Sequence, residues 1–252
     1  MKMKFLENKK KRTLFIIILG IVTLILALFI AGVIYVSDYY HADDEAIDAF
    51  LPAYNAQTQT LSDGSLVFEP EKPKAGFIFY PGGKVEHEAY IPLMAALSSE
   101  DILCVLVKMP FNLAVLDVNA ADGIKEQFPE VENWYIGGHS LGGAMAASYL
   151  DKNREDFCGL ILLAAYSTAD LSDTDLTVLS VYGSRDGVMD RDKYNEYRSN
   201  LPEGFNEVII PGGNHAYFGM YGEQDGDGRA TITNDAQIFY TMVKISDMIV
   251  GA

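Results

Sequence analysis

A serine stands between glycines at residues 138–143, which read GHSLGG. The apolar run WYI (134–136) precedes it, and small residues typical of a helix, AMAA (144–147), follow it. A tight strand-to-helix turn needs glycine two residues before and after the serine, because a Cβ atom there would collide with the neighbouring strand or helix. Such a turn exposes the hydroxyl at the positive end of a helix. The pattern predicts Ser140 as a nucleophile; its alternative role is that of an ordinary helix N-cap.

A nucleophilic serine needs a base to take its proton and an acid to orient that base. Asp186 lies in a turn-rich segment, GSRDG, directly after the strand-like run 176–182. His215 ends the segment PGGNH, after the next strand-like run, 207–210. The spacing between Ser140 and Asp186, and between Asp186 and His215, leaves room each time for about one crossover of a helix and a strand. Neighbouring parallel strands require such a connection. The order serine, aspartate, histidine therefore predicts a triad of Ser140, Asp186 and His215.

Other residues compete for the two supporting roles. Asp170 or Asp173, from the loop of the preceding strand, can supply the acid instead of Asp186. The chain has three other histidines. His41 is expected in a stalk, His87 on an exposed early helix turn and His139 inside the serine turn, so each is less suited to act as the base.

Acyl chemistry also needs two donors for the oxyanion. The backbone N–H of Leu141 is one, because it follows the nucleophile. The other is expected in the segment PGGK (81–84), which ends the strand-like run AGFIFY (75–80) and whose glycines let the backbone approach a ligand. The N–H groups of Gly83 and Lys84 are both candidates. The Lys84 side chain either adds positive charge there or points to water.

Together these motifs resemble the serine hydrolases of the α/β-hydrolase superfamily, in particular the small, capless, dienelactone-hydrolase-like bacterial branch. The matching segments are YPGG, GHSLGG, GSRDG and GNH, and the resemblance runs from about residue 62 to the C-terminus. It implies an α/β-hydrolase fold without a large cap domain. Serine stands where dienelactone hydrolases carry cysteine, so the resemblance extends to acyl chemistry and not to lactone specificity.

The elements that position these residues follow from apolar runs that alternate with helical patterns. Strands are predicted around 66–68 and at 75–80, 102–107, 134–138, 159–163, 176–182 and 206–210. Helices are predicted at 88–98, at 113–127, after Ser140 and near the C-terminus, where the apolar positions include Ala236, Phe239, Tyr240, Val243 and Ile245. This alternation is typical of a mostly parallel sheet with helices on both faces. Only about a dozen residues separate the strand ending at Ala164 from the next, so no sizeable cap fits.

Residues 14–36 form an apolar stretch without a charge, preceded by five lysines and one arginine. It is long enough to span a bilayer core of about 30 Å, whereas the apolar core of a cleaved signal peptide has about 7–15 residues. We predict an uncleaved signal anchor with its basic end in the cytoplasm and the hydrolase domain outside. A cleaved signal would leave the domain on the same side. The predicted divisions are a tail (1–12), the anchor (13–36), a stalk or packed juxtamembrane segment (37–60) and the hydrolase domain (61–252).

Acidic residues dominate the chain beyond the basic tail. The 252 residues carry a net charge of −16, and those after Arg12 carry 13 basic against 34 acidic residues, a net −21. This charge argues against nucleic-acid partners, anionic lipid head groups and polyanionic substrates. The segment EQDGDG (223–228) suggests calcium but lacks the later glutamate of a calcium loop, so a polar loop is expected.

No metal or cofactor is predicted, because the sequence has no Cys/His cluster and no phosphate-binding glycine loop. Cys104 and Cys158 both lie in strand-like runs and are expected as buried free thiols rather than a disulfide.

These observations predict a serine hydrolase that cleaves an ester-like bond of a small-molecule or lipid-like acyl substrate. An acyltransferase acting on an envelope acceptor would use the same acyl-enzyme. A membrane-tethered binding domain of hydrolase fold is the non-catalytic alternative, since a fold alone does not establish chemistry.

Overall fold

The computed structural model describes residues 9–54 and 57–251. The chain divides into two compact units, Met1–Asp38 and Tyr39–Ala252. The described part of the first unit is one helix, α1 (Lys9–Ser37). Its stretch Lys11–Ser37 is long and apolar enough to cross a membrane, with a mean hydropathy of 3.2. Within it the Thr23 hydroxyl donates to the Leu19 carbonyl at 2.9 Å, so this polar group needs no water partner.

The second unit is built on eight strands: β1 (Gln57–Thr60), β2 (Leu66–Glu69), β3 (Ala75–Tyr80), β4 (Ile102–Leu106), β5 (Trp134–His139), β6 (Gly159–Leu163), β7 (Thr177–Gly183) and β8 (Asn206–Ile210). They form one sheet in the order β1-β2-β4-β3-β5-β6-β7-β8. The β1–β2 and β2–β4 pairs are antiparallel, and every other pair is parallel. The prediction of a mostly parallel α/β sheet is therefore confirmed, and the carboxyl ends of β3 to β8 share one edge.

The helices of this unit are α2 (Asp44–Phe50), α3 (Ile91–Ser98), α4 (Leu141–Lys152), α5 (Arg191–Tyr197) and α6 (Asn234–Ile249). Successive side chains of β3 point to opposite faces of the sheet, and all are buried. Phe77 and Phe79 pack in the cluster that includes α3 and α6, whereas Ile78 packs in the cluster that includes α4. β3 is thus apolar throughout because helices cover both faces of the sheet at this strand.

The prediction of a helix at 113–127 is wrong. This stretch contains only short 3₁₀ turns, Ala114–Leu116 and Lys125–Gln127. Backbone bonds between residues three apart, such as Asp117 N–H to the Ala114 carbonyl at 3.2 Å, replace the α-helical pattern. Gly123 in the left-handed region, at φ 74°, also interrupts a helix here.

The C-terminal helix α6 is confirmed, but its buried face differs from the apolar positions singled out in the sequence. Ile238, Met242, Ile245 and Ile249 are buried, at the spacing of one helix face. Phe239 and Tyr240 are exposed instead. Gln237 and Thr241 complete the buried face because both are hydrogen bonded there.

The juxtamembrane segment packs on the domain from Tyr39 onward. The Tyr40 N–H donates to the Lys84 carbonyl at 2.8 Å, and the Glu86 N–H donates to the Tyr40 carbonyl at 2.9 Å. Farther along, Ile47 is buried in the core. Most of the segment given above as 37–60 is therefore part of the compact unit rather than a separate stalk.

Two expectations about buried side chains need correction. Both cysteines are free thiols, as expected, but only Cys104 is buried while Cys158 is exposed. His87 is buried rather than exposed, with its Nδ1 2.7 Å from the Glu88 carboxylate and its Nε2 3.3 Å from the Gly64 carbonyl.

A short connection joins β6 to β7 and contains no helix. It is tied down by the Leu171 N–H, which donates to the Asn200 carbonyl at 2.7 Å. No large cap therefore covers the carboxyl edge of the sheet, as the sequence predicted.

The start of α4 approaches the end of β3 so closely that a side chain cannot fit between them. A Cβ atom on Gly142 would overlap the backbone carbonyl oxygens of Tyr80 and Pro81. We expect Gly142→Ala to lower the free energy of unfolding by about 2–3 kcal/mol, despite alanine's higher helix propensity. Urea unfolding of the full-length protein in detergent, followed by Trp134 fluorescence, measures this.

Gly204→Ala is the matched control. Gly204 has φ 82° and open space around its Cβ position, so this change adds backbone strain without a clash and should cost only about 1 kcal/mol. Equal losses in both variants would contradict the steric explanation.

Candidate active site

Ser140 lies between the end of β5 and the start of α4, at φ 52° and ψ −122°. A non-glycine residue in this conformation costs on the order of 1–3 kcal/mol, so the surrounding structure must hold it there. Two backbone bonds do so: the Ser140 N–H donates to the Leu163 carbonyl at 2.9 Å, and the Ala144 N–H donates to the Ser140 carbonyl at 3.2 Å. The side chain consequently stands at the carboxyl edge of the sheet, at the N-terminus of α4.

Asp186 is held in the loop after β7 by hydrogen bonds to three partner atoms. Its Oδ1 accepts from the backbone N–H groups of Val188 at 2.9 Å and Met189 at 2.8 Å. Its Oδ2 lies 3.0 Å from Nδ1 of His215. Burial raises the pKa of Asp186, but the bond to His215 and the two backbone donors outweigh burial and bring this pKa below its ordinary value. The carboxylate is therefore ionised beside the imidazole.

His215 follows β8 and is fully enclosed, with 1% of its side chain exposed. Nδ1 faces a carboxylate that only accepts hydrogen bonds, so Nδ1 carries the proton and Nε2 is left as the basic nitrogen. Nε2 is buried and has no hydrogen-bond partner within the described residues. This is the protonation state that a general base needs.

The alternative acids lie elsewhere. Asp170 accepts hydrogen bonds from the backbone and hydroxyl of Ser172, at 3.1 and 2.7 Å. Asp173 forms an ion pair with Arg154 at 2.9 Å. Of the three candidate carboxylates, the structure thus brings Asp186 to the imidazole of His215.

The candidate oxyanion donors differ in their hydrogen bonding. The Lys84 N–H donates to the Asn112 carbonyl at 2.7 Å, and the Gly82 N–H donates to the Tyr90 hydroxyl at 3.1 Å. The N–H groups of Gly83 and Leu141, by contrast, have no acceptor among residues 9–54 and 57–251. Gly83 also lies against Leu141, since a Cβ atom on Gly83 would come within 2.8 Å of that side chain. Gly83 and the Leu141 side chain are therefore neighbours, and the backbone N–H of each residue is open among the described residues.

His139 lies between the segment 81–84, called the oxyanion segment below, and the imidazole of His215. Its Nδ1 lies 2.8 Å from the Tyr90 hydroxyl, which also accepts the Gly82 N–H. Its ring centroid lies 4.5 Å from that of His215. Burial lowers the pKa of His139 well below its ordinary value, and the neighbouring His215 lowers it further. The sequence predicts His139 inside the serine turn but predicts neither of these contacts.

Asp227 is a second residue whose contacts with the site were not predicted from the sequence. Its Oδ1 accepts from the Gly187 N–H at 3.0 Å, and its Oδ2 accepts from the Ala216 N–H at 2.9 Å. Gly187 follows Asp186 and Ala216 follows His215, so one carboxylate ties the two loops together. The only sequence signal was the polar segment at 223–228, which supplies this carboxylate.

The described residues hold no group of three His, Cys, Asp or Glu side chains suited to a metal ion.

A cavity of about 340 Å³ opens beside Ser140. Its walls are mostly apolar and include Leu141, Met145, Ala165, Val188 and Met189, with Asp190 also contributing. This volume lies at the lower end of the range for ligand pockets, about 300–1,000 Å³. The cavity can therefore hold a small apolar group next to the serine.

The buried, neutral His139 makes stability depend on pH. In the unfolded chain a histidine takes up a proton near pH 6.5, whereas folded His139 stays neutral. Its contribution is therefore complete above about pH 6.5 and is lost as the pH falls below that value. We expect the free energy of unfolding to decline between pH 7 and pH 5.5, by up to about 1.4 kcal/mol per pH unit for this one group.

Urea unfolding of His139→Asn at several pH values tests this, because the variant should show a shallower decline whatever its absolute stability. His41→Asn, which removes a histidine with 69% of its side chain exposed, is the control and should keep the parent slope. An unchanged slope in His139→Asn would refute the explanation.

Comparison with known proteins agrees with this architecture. A search of curated proteins found no match. Among solved structures, the chain is similar to TT1662 from Thermus thermophilus, with 13% sequence identity and a TM-score of 0.56, over 78% of this chain and 99% of that one. At this identity the likeness concerns the fold. A profile of the alpha/beta hydrolase family matches residues 76–239, a range that contains Ser140, Asp186 and His215. The chain therefore belongs to the alpha/beta hydrolase family.

Proposed function

We propose that this protein is a membrane-anchored serine hydrolase whose catalytic domain lies outside the cytoplasm and cleaves an ester-like bond. The observation that carries the proposal is the buried Asp186–His215 pair, 3.0 Å apart, which leaves Nε2 of His215 unpartnered among the described residues. Ser140 supports it from the strained turn at the same edge of the sheet. An imidazole without this acid would lack a fixed tautomer, and a serine without this base would be a weak nucleophile.

The reaction begins when Nε2 of His215 takes the proton of the Ser140 hydroxyl as Oγ attacks the carbonyl carbon of the ester. Negative charge then develops on the carbonyl oxygen, where the N–H groups of Leu141 and Gly83 stabilise it. The protonated His215 gives its proton to the leaving alcohol, and an acyl-enzyme remains on Ser140. His215 then takes a proton from a water molecule as its oxygen attacks the acyl carbon, and returns that proton to Oγ of Ser140 as the acid leaves. Asp186 stays ionised and stabilises the imidazolium throughout.

For the second oxyanion donor we favour Gly83 over Lys84. The Lys84 N–H is already engaged by the Asn112 carbonyl at 2.7 Å, and breaking that bond would cost free energy at the moment of reaction. The Gly83 N–H needs no such rearrangement. A preorganised donor of this kind stabilises a developing oxyanion most effectively.

The mostly apolar cavity beside Ser140 supports an ester with an apolar acyl group as substrate. Membrane anchoring is supported by the apolar stretch Lys11–Ser37. The basic residues before it favour a cytoplasmic N-terminus, which would place the hydrolase domain on the other side of the membrane.

Ser140→Ala should abolish labelling by a fluorophosphonate and lower the hydrolysis of para-nitrophenyl esters by about 10³-fold or more, because the nucleophile is lost. The measurement uses full-length protein in detergent, with esters of graded acyl length. Ser148→Ala is the matched control: Ser148 lies in the same helix and its hydroxyl only donates to the Ala144 carbonyl. Labelling that persists in Ser140→Ala would exclude Ser140 as the nucleophile.

Asp227→Asn should lower kcat by about 10-fold to 100-fold with a much smaller change in KM, because misplacing a base by about 1 Å has effects of this size. The loops that carry Asp186 and His215 would lose a charged acceptor that joins them. Asp225→Asn is the control, since only its backbone N–H is bound, to the Tyr40 hydroxyl at 3.1 Å. Equal effects of the two variants on kcat would show that Asp227 does not position the pair.

A further inference from the structure

Three large apolar side chains are exposed on one loop after β4. The loop spans residues 110–116 and is called the apolar loop below; Phe111 is 65% exposed, Val115 53% and Leu116 56%. Phe111 and Asn112 both lie in the left-handed region, at φ 53° and 56°. A non-glycine residue there is strained, and a bulky one such as Phe111 more so than asparagine. The loop thus combines local backbone strain with three exposed apolar side chains.

The apolar loop lies beside the candidate oxyanion site. The Asn112 carbonyl accepts the Lys84 N–H at 2.7 Å. Lys84 follows Gly83, which abuts the Leu141 side chain. One hydrogen bond and one covalent neighbour thus connect the loop to the residues that would hold the oxyanion.

The chain enters the hydrolase domain at the same place. Tyr40 pairs with the segment that follows Gly83, through its N–H to the Lys84 carbonyl at 2.8 Å and through its carbonyl to the Glu86 N–H at 2.9 Å. Its hydroxyl also accepts the Asp225 N–H at 3.1 Å. The residue at which the domain is tethered is therefore held next to the oxyanion segment and the apolar loop.

We propose that the apolar loop inserts into the surface of the bilayer that holds α1, and that the substrate is a lipid-like ester drawn from that bilayer. The inference rests on the proposed membrane anchor and hydrolase activity. Tyr40 comes three residues after Ser37, the last residue of α1. Three extended residues span about 10 Å at most, so the chain would leave a bilayer that contains α1 within this distance of Tyr40. The side chains of Phe111, Val115 and Leu116 would then be covered by lipid.

Charge decides which lipid surface fits. The residues after Arg12 carry a net −21, which disfavours anionic head groups. A zwitterionic or neutral surface avoids this repulsion and leaves the apolar side chains as the main attraction. The lipid-like ester would reach Ser140 past the apolar loop and the open donors of Gly83 and Leu141.

Fluorescence of Phe111→Trp tests the contact without relying on catalysis. The full-length variant is reconstituted into phosphatidylcholine vesicles whose acyl chains are brominated, and the signal is taken as the difference from the parent, whose only tryptophan is the buried Trp134. Bromine should quench the new tryptophan and shift its emission to shorter wavelength. Glu130→Trp, exposed before the amino end of β5, is the control and should be quenched much less. Equal quenching of the two, or none at Phe111→Trp, would overturn the proposal.

Hydrolysis in the same vesicles tests the substrate class. In the double variant Phe111→Ser/Leu116→Ser, the rate with 4-methylumbelliferyl oleate in the bilayer, divided by the rate with soluble 4-methylumbelliferyl acetate, should fall about tenfold. Phe239→Ser removes an apolar side chain that is 54% exposed on α6 and should leave this ratio unchanged. An unchanged ratio in the double variant would overturn the assignment of a bilayer substrate.

The two experiments separate this inference from the proposed function. Quenching at Phe111→Trp without any esterase activity would support the membrane contact while the hydrolase proposal failed. Activity that depends on Ser140, with no quenching at Phe111→Trp, would support the hydrolase and overturn the membrane contact.

Discussion

The end of β3 and the start of α4 touch through backbone alone, and the candidate site is arranged around this contact. A Cβ atom on Gly138 or Gly142 would overlap the Tyr80 carbonyl oxygen, so only glycine allows the approach. The approach sets Ser140 in its strained conformation at the edge of the sheet. It also brings Gly83 against the side chain of Leu141, the residue that follows the serine. A looser packing would relieve the strain but separate these groups.

A buried carboxylate is the second demand on the fold. An ionised Asp186 without partners would be expensive to enclose, and its environment supplies two backbone donors in addition to His215. These donors come from the turn after β7, so the loop that carries the acid also solvates it. Asp227 adds a bond from each neighbouring loop, and the base is thereby held by more than one contact. His139 remains neutral against His215 because burial disfavours its protonated form, which avoids a second positive charge next to the base.

The first residues of the hydrolase domain contribute to the same edge of the sheet. Tyr40 adds backbone pairing to the segment after Gly83, and its ring lies 5.6 Å from that of Tyr221, in the loop after His215. Tyr40 thus lies between the segment that follows Gly83 and the loop that follows His215. The Lys84 N–H connects the same segment to the apolar loop through the Asn112 carbonyl.

Sequence alone determined the elements that depend on local chemistry. Glycine spacing around Ser140 predicted the turn, because no other residue permits that backbone approach, and continuous apolar runs predicted the central strands, because strands covered on both faces must be apolar throughout. It also predicted a long apolar N-terminal helix from length and composition. Only the structure showed that residues 113–127 form short 3₁₀ turns and that His87 is buried against the Gly64 carbonyl, which is distant in sequence.

The partners of the site residues were likewise decided by the tertiary structure. Asp186, Asp170 and Asp173 are equivalent in type and differ only in where their loops fold, and the bond to His215 separates them. Gly83 and Lys84 differ as donors because a distant carbonyl, that of Asn112, engages one and leaves the other open. Asp227 accepts a hydrogen bond from the Gly187 N–H, and the Tyr90 hydroxyl contacts His139; both partners are distant in sequence. Such pairings depend on how loops meet at the sheet edge, so the sequence determined which residue types were present, and packing selected which of them meet.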